Sequence, residues 1–483
     1  NAICIGGVVV NLSTNGGSSW TPIGYSPTEP PFYWLHGDTH DVGFQPGNPT
    51  SIYSFNDGGV TLSTDYGATW YPKNTGLCTF QFYGIGSSAT NPNLVVGGSQ
   101  DQGFFSTNLS TSTNAWTLGA VTDCFNSIVD HTNSNVWYGT GVELAGLIDS
   151  RFKTINGGTT FISANNGIAE QNDFFTPLIM HPTNPQILFT ATNLKVYKTT
   201  NGASLWFPVA NIPDIILFAI DKINSNIMYA GNQVTLSNTT SKIYRSTDGG
   251  ITWVQINSPG NIVTDIEPDP ATQGVVYATR STYTTGQQVW KSNDTGNTWI
   301  NISGNFPGIP ANTIAVNPMN TNHLYVGSDL GVYLSTNFGT TWTQYNTNLP
   351  NVIVEDMHYY APDSTIRIGT HGRGFWMTKA ADPATSIEDI AHASMSEIKV
   401  FPNPSKDYTN INYLLKESAL VNISIYNSLG QEVTELMNEK QNGGNYTINW
   451  NHTNKNNRKI YSGTYYVKIA VNGIAKMNKI IVL

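Results

Sequence analysis

Charge is scarce in this chain of 483 residues: only 11% of positions are Asp, Glu, Lys or Arg, and the net charge is -9. A nucleic-acid binder needs a basic stripe to meet phosphates, so that class is excluded as a partner. No run of about 18 apolar residues appears, so no transmembrane helix is expected. Cysteine is rarer still. Cys4, Cys78 and Cys124 are an odd number without metal-ligand spacing, which leaves room for one disulfide and excludes a cysteine framework or zinc knuckle. Helical periodicity is also missing, as are G-x-S-x-G, a phosphate-cradling glycine loop and a Cys/His nucleophile pattern. The start at Asn1, with neither methionine nor an apolar leader, leads us to expect a processed or truncated product.

What is abundant is glycine, asparagine, threonine and aromatics, in short β-branched runs closed by Gly, Asn or Pro. That is the pattern of an all-β chain, and at this length it calls for several domains or a repeat. The repeat is legible. Seven copies of Ser/Thr, any, Asp/Asn, any, Gly, any, any, aromatic begin at Ser13, Thr199, Ser63, Thr154, Ser246, Ser292 and Ser335, and a decayed copy spans Ser106 to Trp116. A period of about 45 residues with room for four short strands predicts β-propeller blades.

The residue types of the motif suit a hairpin turn. Its acid or amide (Asn15, Asp65, Asn156, Asn201, Asp248, Asp294, Asn337) can accept backbone N–H bonds, its glycine supplies positive φ, and its aromatic packs into the neighbouring blade. Ala203 replaces the glycine in one copy, so a distorted turn is expected there. The motif resembles the Asp-box (BNR) repeat of sialidases, xyloglucan hydrolases and sortilin-like propellers, which implies a propeller in which the box is structural. Counting units predicts eight blades, with seven as the alternative. The first unit lacks its inner strand and the last its outer one, so strands from both ends are expected to close the ring.

From residue 398 the pattern changes. After a linker at 379–397, "FPNP", "YNSLGQEV" and "SGTYYVKI" follow in order within alternating strands that predict a small β-sandwich. These motifs resemble the type A C-terminal sorting domain of the type IX secretion system of Bacteroidetes. The resemblance implies that residues 398–483 engage that machinery, with export through the periplasm to the outer-membrane surface or beyond. The propeller proper is expected over 1–378.

Chemistry is expected on the face opposite the boxes, where the D to A and B to C connections of propeller blades open. There sit His36, Asp38, His40 and Asp41 in "WLHGDTHDVGF", Asn56 and Asp57, Gln100, Asp101 and Gln102, Asp329, and His371 with Arg373. If a strand begins early, His36, Asp38 and His40 share one side. Two imidazoles and a carboxylate then suit a divalent metal, a hydrogen-bonded loop network or direct ligand contact; no other cofactor is expected. Asp41, Asp57 and Asp101 are the candidates for paired catalytic carboxylates on a glycosidic bond. His36, Asp38, His40, Gln100, His371 and Arg373 are the candidates for ligand contact. Phe32, Tyr33, Trp34, Phe80, Phe82 and Tyr83 could stack on sugar rings or belong to the core. With only six arginines, a sialidase-type arginine triad is not expected. Two functions follow: a surface propeller that binds glycan or protein, or a glycoside hydrolase acting on polysaccharide.

Overall fold

The computed structural model describes residues 2–24, 35–111, 115–120, 123–142, 150–170, 174–232, 240–381, 398–415, 418–428, 430–471 and 474–483. Phe32, Tyr33 and Trp34, and the expected linker from residue 382 on, lie outside these. The described residues form antiparallel β-sheets and no helix, in two compact units, Asn1–Ala380 and Ala381–Leu483. All three cysteines carry free thiols.

Seven sheets of the first unit follow one another through their inner strands: Phe82–Ser87 (blade I), Cys124–Val129 (II), Leu178–Met180 (III), Ile215–Ile220 (IV), Val263–Pro268 (V), Ala311–Val316 (VI) and Val354–Tyr360 (VII). Each packs on the next, and the last packs back on the first. Two leading sheets, one of three strands over residues 3–23 and one of four over 39–72, stand outside this cycle. The first expectation, eight blades closed by strands from both ends, is therefore corrected, and the arrangement is that of the seven-blade alternative with the leading strands left over. Strand Gly374–Lys379 pairs with Thr365–Thr370 and with no N-terminal strand among the described residues. The repeat count overshot because the leading sheets carry boxes of their own.

One polar device joins inner strands. Asp356 Oδ2 of blade VII accepts the Ile85 N–H of blade I (2.8 Å), Asp265 Oδ2 of blade V accepts that of Ile314 (2.9 Å), and Asn126 Oδ1 of blade II accepts that of Leu178 (2.8 Å). All three acceptors sit at inner-strand bulges, where an extra residue turns a side chain towards the neighbouring blade. Burial drives the Asp265 carboxyl up to about 7. Asn126 performs the same service without a charge, so Asp265→Asn is expected to keep the Ile314 bond and remove the desolvation cost, which outweighs losing the acceptor that Oδ1 offers the adjacent Ile266 N–H (2.7 Å). The folded acid keeps its proton at pH values where an unfolded aspartate, near 3.9, has lost it. Wild-type stability should thus fall as pH rises from about 4 to 7, with the deficit complete above that. The variant should be more stable by roughly 1–2 kcal/mol at pH 8 and level with wild type near pH 4. Denaturant melts at the two pH values check this, and equal stability at pH 8 would count against the burial argument.

The boxes are turns. In the Ser63 copy, Ser63 Oγ donates to Asp65 Oδ1 (2.8 Å) and accepts the Gly67 N–H (2.7 Å), while Asp65 takes the Thr69 N–H (2.9 Å) and hydroxyl (2.6 Å). Bonds from the Thr252 hydroxyl and N–H hold the equivalent Asp248 carboxyl down at about 2. The boxes of the four-stranded sheets also donate a backbone N–H to the A–B hairpin of their own sheet, as Gly249 N to Asn226 O (3.0 Å) and Thr295 N to Gly274 O (2.8 Å). Box and A–B turn therefore share one end of the blade. The expected distortion at Ala203 takes a specific form: Ala203 itself adopts φ +57°, and Asn201 still accepts the Leu205 N–H (3.0 Å). The turn keeps its shape, and the alanine carries the left-handed strain that glycine avoids.

The second unit is a β-sandwich of a three-stranded and a four-stranded sheet around Ile411, Ile423, Ile425, Trp450, Val467 and Ile469.

Candidate functional site

Three B–C turns and the segment before the second leading sheet supply the site. Strand Thr39–Gln45 begins after both His36 and Asp38, and Asp38 adopts φ +54°, so the alternation that would align these two with His40 is broken. The three expected metal ligands consequently part. His36 Nε2 donates to Asp101 O (2.7 Å), His40 Nε2 meets Asp57 Oδ1, and only Asp38 stays with the acids. Gly58 is required here, since a Cβ would lie 2.8 Å from the His36 ring.

Carboxylate oxygens of Asp38, Asp57 and Asp101 all lie within 4.8 Å of one another. Two arrive on the second leading sheet and its approach, and the third on the Gln100–Gln102 turn of blade I, where Asp101 takes φ +61°. His36 and Gln102, whose Nε2 donates to Asp57 O (3.3 Å), tie the leading sheet to the ring across this seam. Burial, then the charges of Asp123 and Asp57, push the Asp101 carboxyl up to about 6. Asp41 stands apart: its carboxylate accepts its neighbour Val42's N–H (2.8 Å). Of the expected catalytic acids, the structure unites Asp57 and Asp101 and separates Asp41.

The mouth continues beyond the residues picked out by sequence. Asp123 Oδ1 accepts the Asp101 N–H (2.7 Å), and Glu355 holds His371 Nδ1 at 3.1 Å, which raises the imidazole's pKa. Tyr83 packs 6.3 Å from the His371 ring, its hydroxyl pushed up by burial and then by Glu355, Asp101 and Asp123. Asp123 and Glu355 were missed because one immediately precedes an inner strand and the other lies within one, rather than in a turn. Gln100 lies in the same turn as Asp101, and its backbone N–H donates to Gln81 O (3.3 Å). Arg373 is exposed, and its carbonyl accepts the Trp376 indole N–H (2.8 Å). Phe80 and Phe82 pack into the blade I core, their rings 5.3 Å apart.

Three carboxylates this close repel by about 3 kcal/mol per pair at an effective dielectric of 20. Protonation of Asp101, the neighbouring imidazoles, or a bound cation or donor-rich ligand can offset that. As an all-oxygen set the trio suits calcium or magnesium rather than zinc.

Residues 399–483 match the family model described as a secretion system C-terminal sorting domain. The second unit is a secretion sorting domain. It marks the chain for export through the type IX system to the cell surface or the medium, and among the described residues no helix is long and apolar enough to cross a membrane. Ahead of the sorting domain, residues 241–372 match the model for sortilin, neurotensin receptor 3, in keeping with an Asp-box propeller. No curated protein matches the chain. Similar solved structures include PorZ, a surface component of the type IX secretion system of Porphyromonas gingivalis (14% identity, 100% of this chain and 74% of that one, TM-score 0.49). Others are YCF48 from Cyanidioschyzon merolae (12%, 62% and 95%, TM-score 0.47) and the GH74 enzyme of Niastella koreensis (15%, 99% and 72%, TM-score 0.29).

Proposed function

We propose that this exported propeller is a recognition protein of the cell surface or its surroundings. It would bind a hydroxyl-rich ligand, a glycan, at the seam of Asp38, Asp57 and Asp101. The observation that carries the reading is the state of the candidate catalytic acids. A glycosidase needs two carboxyl groups facing each other across a substrate. Here Asp41 is turned to its own backbone, Asp57 is engaged by His40, and Asp57 shares one small cluster with Asp101 and Asp38. Clustered acceptors of this kind suit sugar hydroxyl donors, with or without a bridging cation.

Retention of a polysaccharide panel on the immobilised full chain tests this. Binding is expected for wild type and should weaken at least tenfold in Asp57→Ala, while Asp41→Ala binds as wild type. Chelator sensitivity separates cation-bridged from direct recognition. Retention that ignores Asp57 would remove the seam as the site.

A further inference from the structure

Blade VII has three strands where blades I to VI have four. Its outermost strand, Gly374–Lys379, is paired on one side by Thr365–Thr370 and, among the described residues, by no strand on the other. Beside this open edge lies an apolar cavity of about 90 Å³, lined by Val332, Tyr345, Leu349, Ile366, Ile368 and Trp376.

Those six residues are the counterparts, one blade on, of Val289, Ile302, Phe306, Leu324, Val326 and Tyr333. In blade VI the latter group encloses the box tryptophan, Trp342. Its indole N–H donates to Ile302 O (3.1 Å), and its ring meets Phe306 edge-on at 5.5 Å. Trp342 is followed at once by the short outer strand Thr343–Gln344, paired with Tyr333 and Leu334. The cavity in blade VII is thus the same socket, set beside the same edge, in a blade whose sequence carries no box to fill it.

We propose that this socket and edge are a docking site for an extended segment of a partner protein, which adds as a fourth strand antiparallel to Gly374–Lys379 and places a tryptophan in the cavity. Main-chain bonds along the edge would give affinity and the aromatic anchor specificity. The occupant's chemistry follows from the outer strands this chain already uses. They are short and solvent-facing, as Ile162–Ser163, Ile300–Asn301 and Thr343–Gln344 are. The exposed Arg373 and Lys379 at the two ends of the open strand favour acidic residues flanking the incoming segment.

The probe is a labelled peptide, GTTWTQYN, copied from Gly339–Asn346, titrated against the full chain by fluorescence anisotropy. Binding at least tenfold tighter than that of its tryptophan-to-alanine version is expected, and Leu349→Trp, which fills the socket from within, should lose it. Hydrogen exchange at Phe375 and Met377, whose amides alternate away from Thr365–Thr370, should be fast in the free protein and slow with peptide. Three results would each overturn the proposal: equal binding of the two peptides, strong protection of these amides in the free chain, where its own residues cover the edge, or protection that grows with protein concentration, where a second copy does.

Discussion

Replacing Arg367 with methionine should lower the unfolding free energy of the propeller by about 3 kcal/mol, because it removes the buried member of the joint between blades VII and I. Arg367 is fully buried. Its guanidinium donates to Ser87 Oγ, Pro92 O and Asp363 Oδ2, each at 3.0 Å, and stacks 3.5 Å over the Tyr360 ring. Tyr360 and His358 reach across the same joint to Ser88 O (2.6 Å) and Ser87 Oγ (2.9 Å). Methionine fills much of the volume but supplies no donor, so the Pro92 carbonyl and the Asp363 carboxylate lose their partner and Ser87 Oγ keeps only His358. Lysine keeps the charge without the fork and should recover only part of the loss. A melt checks both; the midpoint should drop by roughly 4 °C for methionine. An unchanged midpoint would mean that the joint between the last and first blades adds nothing to stability.

The second large effect is at the seam, and its two halves have opposite signs. Asp101→Asn removes one of three crowded charges while keeping an acceptor, so the variant should be more stable than wild type at pH 7 and above. Since the folded carboxyl titrates near 6 and the unfolded one near 3.9, wild-type stability declines as pH rises through that window. The variant should not show that decline. Glycan retention should fall at least tenfold, about 1.4 kcal/mol. Stability gained where binding is lost is the mark of a site built against the fold's own preference. Matched melts at pH 4 and 7.5, run beside the retention assay, measure both, and a variant that is both less stable and still binding would contradict the account.

These two residues also show what can be read in the sequence and what cannot. Box turns are local: Ser63, Asp65, Gly67 and Thr69 satisfy one another within seven residues, so their chemistry is visible in the string. Asp57 and Asp101 were legible for a similar reason, since Asn-Asp-Gly-Gly and Gln-Asp-Gln-Gly mark turns that face one end of the blades. Ring closure is not local. It depends on Asp356 meeting Ile85 and on Arg367 meeting Ser87, contacts 271 and 280 residues apart, and a repeat count cannot show which sheets stand outside the cycle. The His36, Asp38, His40 alignment failed on a single backbone angle, the positive φ of Asp38, to which alternation is blind. Asp123 lies just ahead of the inner strand of blade II and Glu355 at the bulge in that of blade VII, so neither could be placed at the mouth before the strands were.

The most direct test of recognition against hydrolysis is a reducing-end time course on every glycan the protein retains, run from pH 5 to 7 across the Asp101 titration. The account predicts retention with no new reducing ends at any pH. New ends that appear with wild type and vanish in a folded Asp57→Asn or Asp101→Asn variant would make the seam a catalytic pair and contradict it.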